Sequence, residues 1–226
     1  ESSDDENFSK KLASLGDIYI NDAFSCSHRK QASIHNITKF VKKSFAGPLL
    51  KKEIDAINLV VKNKKEPVTC IIGGSKISSK INVITSLIEK VNNLIIVGAM
   101  ANNFFIYKNY KVGKSLIEEN TKEIIKKIYE KANKNKCKIL IPEDCMVGSS
   151  FDSFGINKDS NAIEDNDIIL DIGPKTILNI KDIIDQSNTV LWNGPAGYFE
   201  NENFMIGTMS IAENISKNTV KKSLIS

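Results

Sequence analysis

Gly73-Gly74-Ser75-Lys76 stands directly after the apolar run Val68–Ile72, and Lys80 follows one helical turn beyond Lys76. Paired glycines at the end of a strand let backbone N–H groups approach an anion closely. A helix that starts there points its positive end at the same place, which favours phosphate. With helix begun at Lys76, the two ammonium groups share a face and both reach a polyphosphate. The same residues also describe a tight turn with two solvated lysines, and spacing alone leaves both readings open. The segment has neither the G-x-x-x-x-G-K-[ST] pattern of a P-loop nor the G-x-G-x-x-G of a dinucleotide fold.

A second glycine-rich turn, Asn193-Gly194-Pro195-Ala196-Gly197, follows another apolar run and leads to Glu200, a candidate acceptor for ribose hydroxyls. Its plainer reading is a loop in which Gly and Pro serve turn geometry only. His28 and Arg29 lie in a serine-containing stretch with Ser25, Ser27 and Ser33, a mixture of groups suited to an anionic substrate. Arg29 is the only arginine among 31 basic residues. Its planar fork can bind carboxylate or phosphate bidentately, as an ammonium cannot. His35 reads as a surface or capping residue, and Trp192 as core. Asp171 ends an apolar run and is either a hydrogen-bonded structural carboxylate or a ligand contact. Two histidines give no arguable Ser-His-Asp or Cys-His arrangement.

The elements that would carry these residues alternate. Runs of strand length occur at Asp17–Asn21, Val68–Ile72, Leu94–Val97, Lys138–Ile141, Ile168–Asp171 and Thr189–Trp192. Several are continuously apolar, as strands covered on both faces are. Between them, helical periodicity marks Phe8–Leu15, Lys51–Val61, Lys80–Val91, Ala99–Tyr107, Thr121–Asn133, Thr176–Ile184 and Gly207–Lys217. Phe151–Asp167 reads as a loop or a small antiparallel excursion, and Leu224-Ile225-Ser226 as the start of another strand. The pattern predicts an α/β protein with parallel sheets. Ligands of such sheets sit beyond the carboxyl ends of strands. That rule adds Gly98 and Gly173 to the candidates. Ala46-Gly47-Pro48 marks a change of chain direction. It predicts a boundary with residues 1–47 as the tail of one domain and 48–226 as most of a second, beginning with an interdomain helix.

Composition excludes several classes. The net charge is +4 and the lysines are interleaved with Asp and Glu, unlike the clustered excess of a nucleic-acid binder. No apolar run approaches the roughly 18 residues of a membrane span. Cys26, Cys70, Cys137 and Cys145 form no C-x-x-C pair and no His/Cys cluster with metal-ligand spacing, a pattern that fits a reducing, cytoplasmic compartment.

Taken together the motifs resemble the phosphoglycerate kinase family. Leu12–Phe24, Ser27-His28-Arg29 and Ala32-Ser33 look like the end of its N-terminal domain. Gly73–Lys80 looks like its nucleotide-phosphate loop, and Leu170–Thr176 and Val190–Glu200 like two further signatures. Phe204, Gly207-Thr208 and Ile211-Ala212 continue the pattern. The resemblance runs in register from about residue 8 onward. It implies two Rossmann-like three-layer domains with parallel sheets, the first only partly present. It also implies reversible phosphoryl transfer between 1,3-bisphosphoglycerate/ADP and 3-phosphoglycerate/ATP in glycolysis and gluconeogenesis, by a cytoplasmic monomer whose domains close around the site. Carried over, Lys76 and Arg29 are catalytic, and Arg29 with His28 binds the phosphoglycerate side. Gly73, Gly74, Ser75, Lys76, Lys80, Gly98, Gly173, Asn193, Pro195, Gly197 and Glu200 form the nucleotide side. Mg²⁺ arrives with ATP or ADP.

The departures are specific. Ser79 stands where relatives often carry an acidic residue, and Val97-Gly98-Ala99 where they often carry three glycines. The family's N-terminal substrate-binding part and its C-terminal Mg-nucleotide turn are expected outside this chain, so the chain alone is expected to be inactive. Two other readings remain at this point: a non-catalytic nucleotide-binding module on the same scaffold, and a partly folded piece with no activity.

Overall fold

The computed structural model describes residues 1–62, 65–218 and 222–225. The chain forms two compact units that divide between residues 63 and 64.

In the first unit, helix α1 (Glu6–Ala13) is capped by the Asp5 carboxylate, which accepts from the Phe8 amide at 2.7 Å. Strand β1 (Ile18–Asn21) pairs in parallel with β2 (Lys43–Ala46), a strand that the apolar pattern does not announce. Helix α2 (Pro48–Lys62) begins at Pro48, where its fixed φ suits a first helical position. The Asp22 carboxylate accepts from the Leu50 amide at 2.9 Å and holds that start. The compact units place α2 with the first unit, whereas the sequence pattern predicts a boundary ahead of it. Ile18, Ile20 and Phe45 of the two-stranded sheet are exposed within this unit.

The second unit is built on a parallel sheet of β3 (Val68–Ile72), β4 (Asn93–Ile96), β5 (Lys138–Leu140), β9 (Thr189–Asn193) and β10 (Lys222–Ile225), in the order β10-β9-β3-β4-β5. The strand expected at Leu224–Ser226 is β10; Ser226 lies outside the described residues. All five residues of β3 are buried. Val68, Cys70 and Ile72 face one layer, with Ile84 of α3 (Ile81–Leu87), Phe104 of α4 (Ala101–Tyr107) and Ile125 and Ile128 of α5 (Lys122–Lys134). Ile71 faces the other, with Ile180 and Ile184 of α6 (Pro174–Gln186) and Ile211 and Ile215 of α7 (Ile206–Lys217). The two-residue period of the strand sends alternate side chains to opposite helical layers, which is why β3 reads as a continuous apolar run. Each fully buried aliphatic side chain contributes about 1.5–3 kcal/mol to this three-layer core.

One expected parallel strand belongs elsewhere. β8 (Ile168–Ile172) forms a separate antiparallel sheet, order β7-β6-β8, with β6 (Asp144–Gly148) and β7 (Ile156–Asp159). β7 is the antiparallel excursion within Phe151–Asp167. β6 escaped notice because Pro142-Glu143-Asp144 reads as a turn after β5. The helix expected at Lys80–Val91 is shorter, a 3-10 turn at Ser78–Lys80 followed by α3.

Candidate functional site

Strand order explains how segments far apart in sequence meet. β9, β3 and β4 are neighbours, so the turns beyond their carboxyl ends converge. The Gly73 amide donates to the Asn193 carbonyl at 2.8 Å, and the Gly98 amide to the Ala196 carbonyl at 3.0 Å. The Met100 amide, just ahead of α4, donates to the Gly74 carbonyl at 2.9 Å. The backbones lie so close that a Cβ on Gly73 would stand 1.9 Å from the Pro195 carbonyl oxygen. Gly98 (φ +68°) and Gly194 (φ +83°) also need the left-handed backbone that glycine tolerates. Trp192, buried as expected, braces the second turn by donating from Nε1 to the Gly194 carbonyl at 2.7 Å.

These turns border a cavity of about 400 Å³. Among the sequence candidates, Gly74, Ser75, Gly98, Pro195, Gly197 and Glu200 line it. Gly73, Lys80 and Asn193 adjoin it through the turns. The half-buried Lys80 side chain passes beside Gly74, with Nζ 3.7 Å from where a Gly74 Cβ would stand, and donates to Asn193 Oδ1. Burial pushes the Lys80 ammonium below its ordinary pKa. Lys76 is exposed on the same turn. The first unit carries His28 and Arg29, both exposed, on the turn after β1. There Ser27 donates to the Ala23 carbonyl at 2.6 Å and the Arg29 amide to the Cys26 carbonyl at 2.9 Å. His35, exposed at the surface, meets the largely covered Asp4 carboxylate at 2.7 Å.

Gly173 is not among the residues lining the cavity. It packs on Asp144, whose carboxylate would lie 2.3 Å from a Gly173 Cβ. Asp144 is buried and accepts from the amides of Lys175 (3.0 Å) and Thr176 (2.8 Å) and from the Thr176 hydroxyl (2.7 Å). The start of α6 is therefore already occupied by a protein anion.

Asp171 lines the cavity and is 2% exposed. It accepts from the amides of Gly207 (2.7 Å) and Ile172 (2.8 Å). Burial outweighs those two donors and pushes its carboxyl up to about 7. Gly197 and Gly207 must both be glycine here, since a Cβ on either would fall within 2.4 Å of Asp171 Oδ1. Two aromatic residues at the cavity, Phe151 and Tyr198, stand edge to face at 5.2 Å. Phe151 was not singled out because it lies in a polar stretch without periodicity; Tyr198, inside the Val190–Glu200 segment, carried no chemical signal of its own. Among the described residues no group of three or more His, Cys, Asp or Glu could hold a metal ion, and no helix is long and apolar enough to cross a membrane.

The architecture is that of a mixed α/β protein whose parallel sheet gathers glycine-rich turns around a cleft at its strand ends. The model of the family described as phosphoglycerate kinase matches residues 1–226. A phosphoglycerate kinase of Wolbachia pipientis wMel is 48% identical over 227 residues, covering 100% of this chain and 57% of that protein. The cytosolic phosphoglycerate kinase of Triticum aestivum is 43% identical over 98% of this chain and 56% of its own length. The solved phosphoglycerate kinase of Coxiella burnetii matches with a TM-score of 0.84 at 34% identity, over 100% of this chain and 58% of that one. The chain belongs to the phosphoglycerate kinase family, and it spans little more than half the length of these relatives.

Proposed function

We propose that this chain carries the nucleotide side of a phosphoglycerate kinase, with residues 1–47 the end of the phosphoglycerate-binding domain and 48–226 most of the nucleotide-binding domain. The reaction is phosphoryl transfer between ADP/ATP and the carboxyl-linked phosphate of a phosphoglycerate, in a cytoplasmic enzyme. The observation that supports it best is the meeting of three glycine-containing turns around one cavity, with Lys80 held at its edge by Asn193.

The cavity takes the nucleoside between apolar walls, and Glu200 accepts from the ribose hydroxyls. Lys80 neutralises the nucleotide phosphates and Lys76 the transferring phosphoryl group. Arg29, with His28, binds the phosphoglycerate anion. Such transfer needs little covalent help; positioning and charge neutralisation carry it. Mg²⁺ bound with the nucleotide supplies further neutralisation.

Calorimetric titration of the chain with Mg-ADP tests the reading. Binding is expected, and Glu200→Ala is expected to weaken it several-fold through one lost charge-assisted hydrogen bond. Absence of binding by a chain that melts cooperatively would overturn it.

A further inference from the structure

One helix holds the lysine turn at both ends. At the near end, the Met100 amide at the start of α4 donates to the Gly74 carbonyl. At the far end the link runs through the loop that follows α4. Asn103, 1% exposed, accepts through Oδ1 from the Glu118 amide (3.0 Å) and the Thr121 hydroxyl (3.3 Å). Asn102, also buried on α4, donates from Nδ2 to the Leu116 carbonyl at 2.9 Å. Two buried amides thus fix residues 116–121 on the helix. From that stretch the Glu118 carboxylate reaches the turn and accepts from the Ser78 amide at 3.0 Å. The Ser78 hydroxyl and amide hold the Glu118 carboxyl below its usual range; burial opposes them, and the Ile77 amide and the Lys76 charge add to them.

A carboxylate beside phosphate-binding lysines has the wrong sign to touch phosphate, so its presence calls for another role. The Ser78 amide belongs to the first turn of a helical segment and has no intrahelical acceptor of its own. Glu118 supplies one. Between the Gly74 and Ser78 anchors the chain carries Lys76 outward and buries Ile77 completely. We propose that Glu118 is a positioning residue for the nucleotide phosphates: by fixing Ser78, it sets the direction from which Lys76 and Lys80 leave the turn. Because the first turn of α4 borders the cavity and also holds this loop, the base side and the phosphate side of the site share one support. The inference rests on the nucleotide reading above.

The test compares Mg-ADP with adenosine, which lacks phosphate, on the wild-type chain and on Glu118→Ala and Glu118→Gln. Glu118→Ala is expected to weaken Mg-ADP about tenfold, the scale of one hydrogen bond to a charged group, and to leave adenosine unchanged. Glu118→Gln keeps an acceptor and is expected to restore most of that loss. Equal losses for both ligands, or tighter Mg-ADP binding by Glu118→Ala, would overturn the inference while leaving the nucleotide reading intact. Hydrogen exchange of residues 76–80 without ligand supplies a readout independent of nucleotide. Faster exchange in Glu118→Ala is expected, and unchanged exchange sinks the proposal. A wild-type chain that binds neither ligand sinks the nucleotide reading and this inference with it.

Discussion

The Lys80 ammonium donates to the side-chain oxygen of Asn193, a residue on the next strand of the sheet and more than a hundred positions away in the chain. The contact joins the turn after β3 to the end of β9, beside Gly74, which lines the cavity. Lys80 is thereby held pointing at the strand ends even though burial makes its charge costly.

Removing either partner is expected to weaken Mg-ADP binding. Lys80→Met loses the charge that the proposed function assigns to the nucleotide phosphates, and Asn193→Ala loses the group that orients it. The two losses are expected to fall short of adding, because each mutation removes part of the same arrangement. Calorimetry on the two single variants and the double variant checks this, and strict additivity would separate the residues functionally.

Gly73→Ala places a methyl group 1.9 Å from the Pro195 carbonyl oxygen. Backbone cannot swing aside as a flexible side chain can, so the two turns must part. A destabilisation of about 2–3 kcal/mol in urea unfolding is expected, with Mg-ADP affinity falling as well. An unchanged midpoint would show that the turns have slack.

Asp171 couples the second unit to pH. Its carboxyl titrates near 7 in the folded protein against an ordinary value of 3.8, so between those values the folded state keeps a proton that the unfolded state has released. The group's contribution to stability is therefore complete below about pH 4 and lost as pH rises through 7. Cys145, close enough to feel the charge and itself pushed up to about 12 by burial, stays neutral throughout. The stability of the wild type relative to Asp171→Asn is expected to decline across that range and to level off above it. Denaturation curves from pH 4 to 8 measure the difference, and a flat difference would count against the raised value.

Asp144→Ala is expected to cost about 3 kcal/mol, because two amides and a hydroxyl lose their acceptor inside the protein. Mg-ADP affinity is expected to persist wherever the variant is folded. Gly173→Ala should behave alike through its clash with Asp144. A Gly173→Ala protein of normal stability that no longer binds nucleotide would support a direct role for Gly173 in binding.

Most of the parallel sheet was legible because burial on both faces leaves a continuous apolar run, as in Val68–Ile72. The two glycine-rich turns were legible because close approach of backbones demands glycine. What escaped has physical causes. β2 and β6 carry mixed, partly polar sequences, and β6 follows a Pro-Glu-Asp segment that mimics a turn. β8 has the apolar profile of a parallel strand but pairs antiparallel, and a run of Ile and Leu does not encode its partner. Gly173 stands beyond a strand end like the other candidates, yet it packs on Asp144, about thirty residues upstream and invisible as a partner in one dimension. Glu118 was passed over among many surface acids, since only the fold brings it to Ser78.

The position of β3 between β4 and β9 also sets a schedule for the growing chain. β4 is made soon after β3, but the other edge of β3 must wait for residues 189–193 to leave the ribosome, as must the Ser187 hydroxyl that meets Thr69. Until then a strand destined for full burial has one row of backbone groups unpaired, the kind of edge that recruits strands from other chains. The proposed nucleotide site is completed at that same late step, so the gathered turns and a protected sheet edge arrive together.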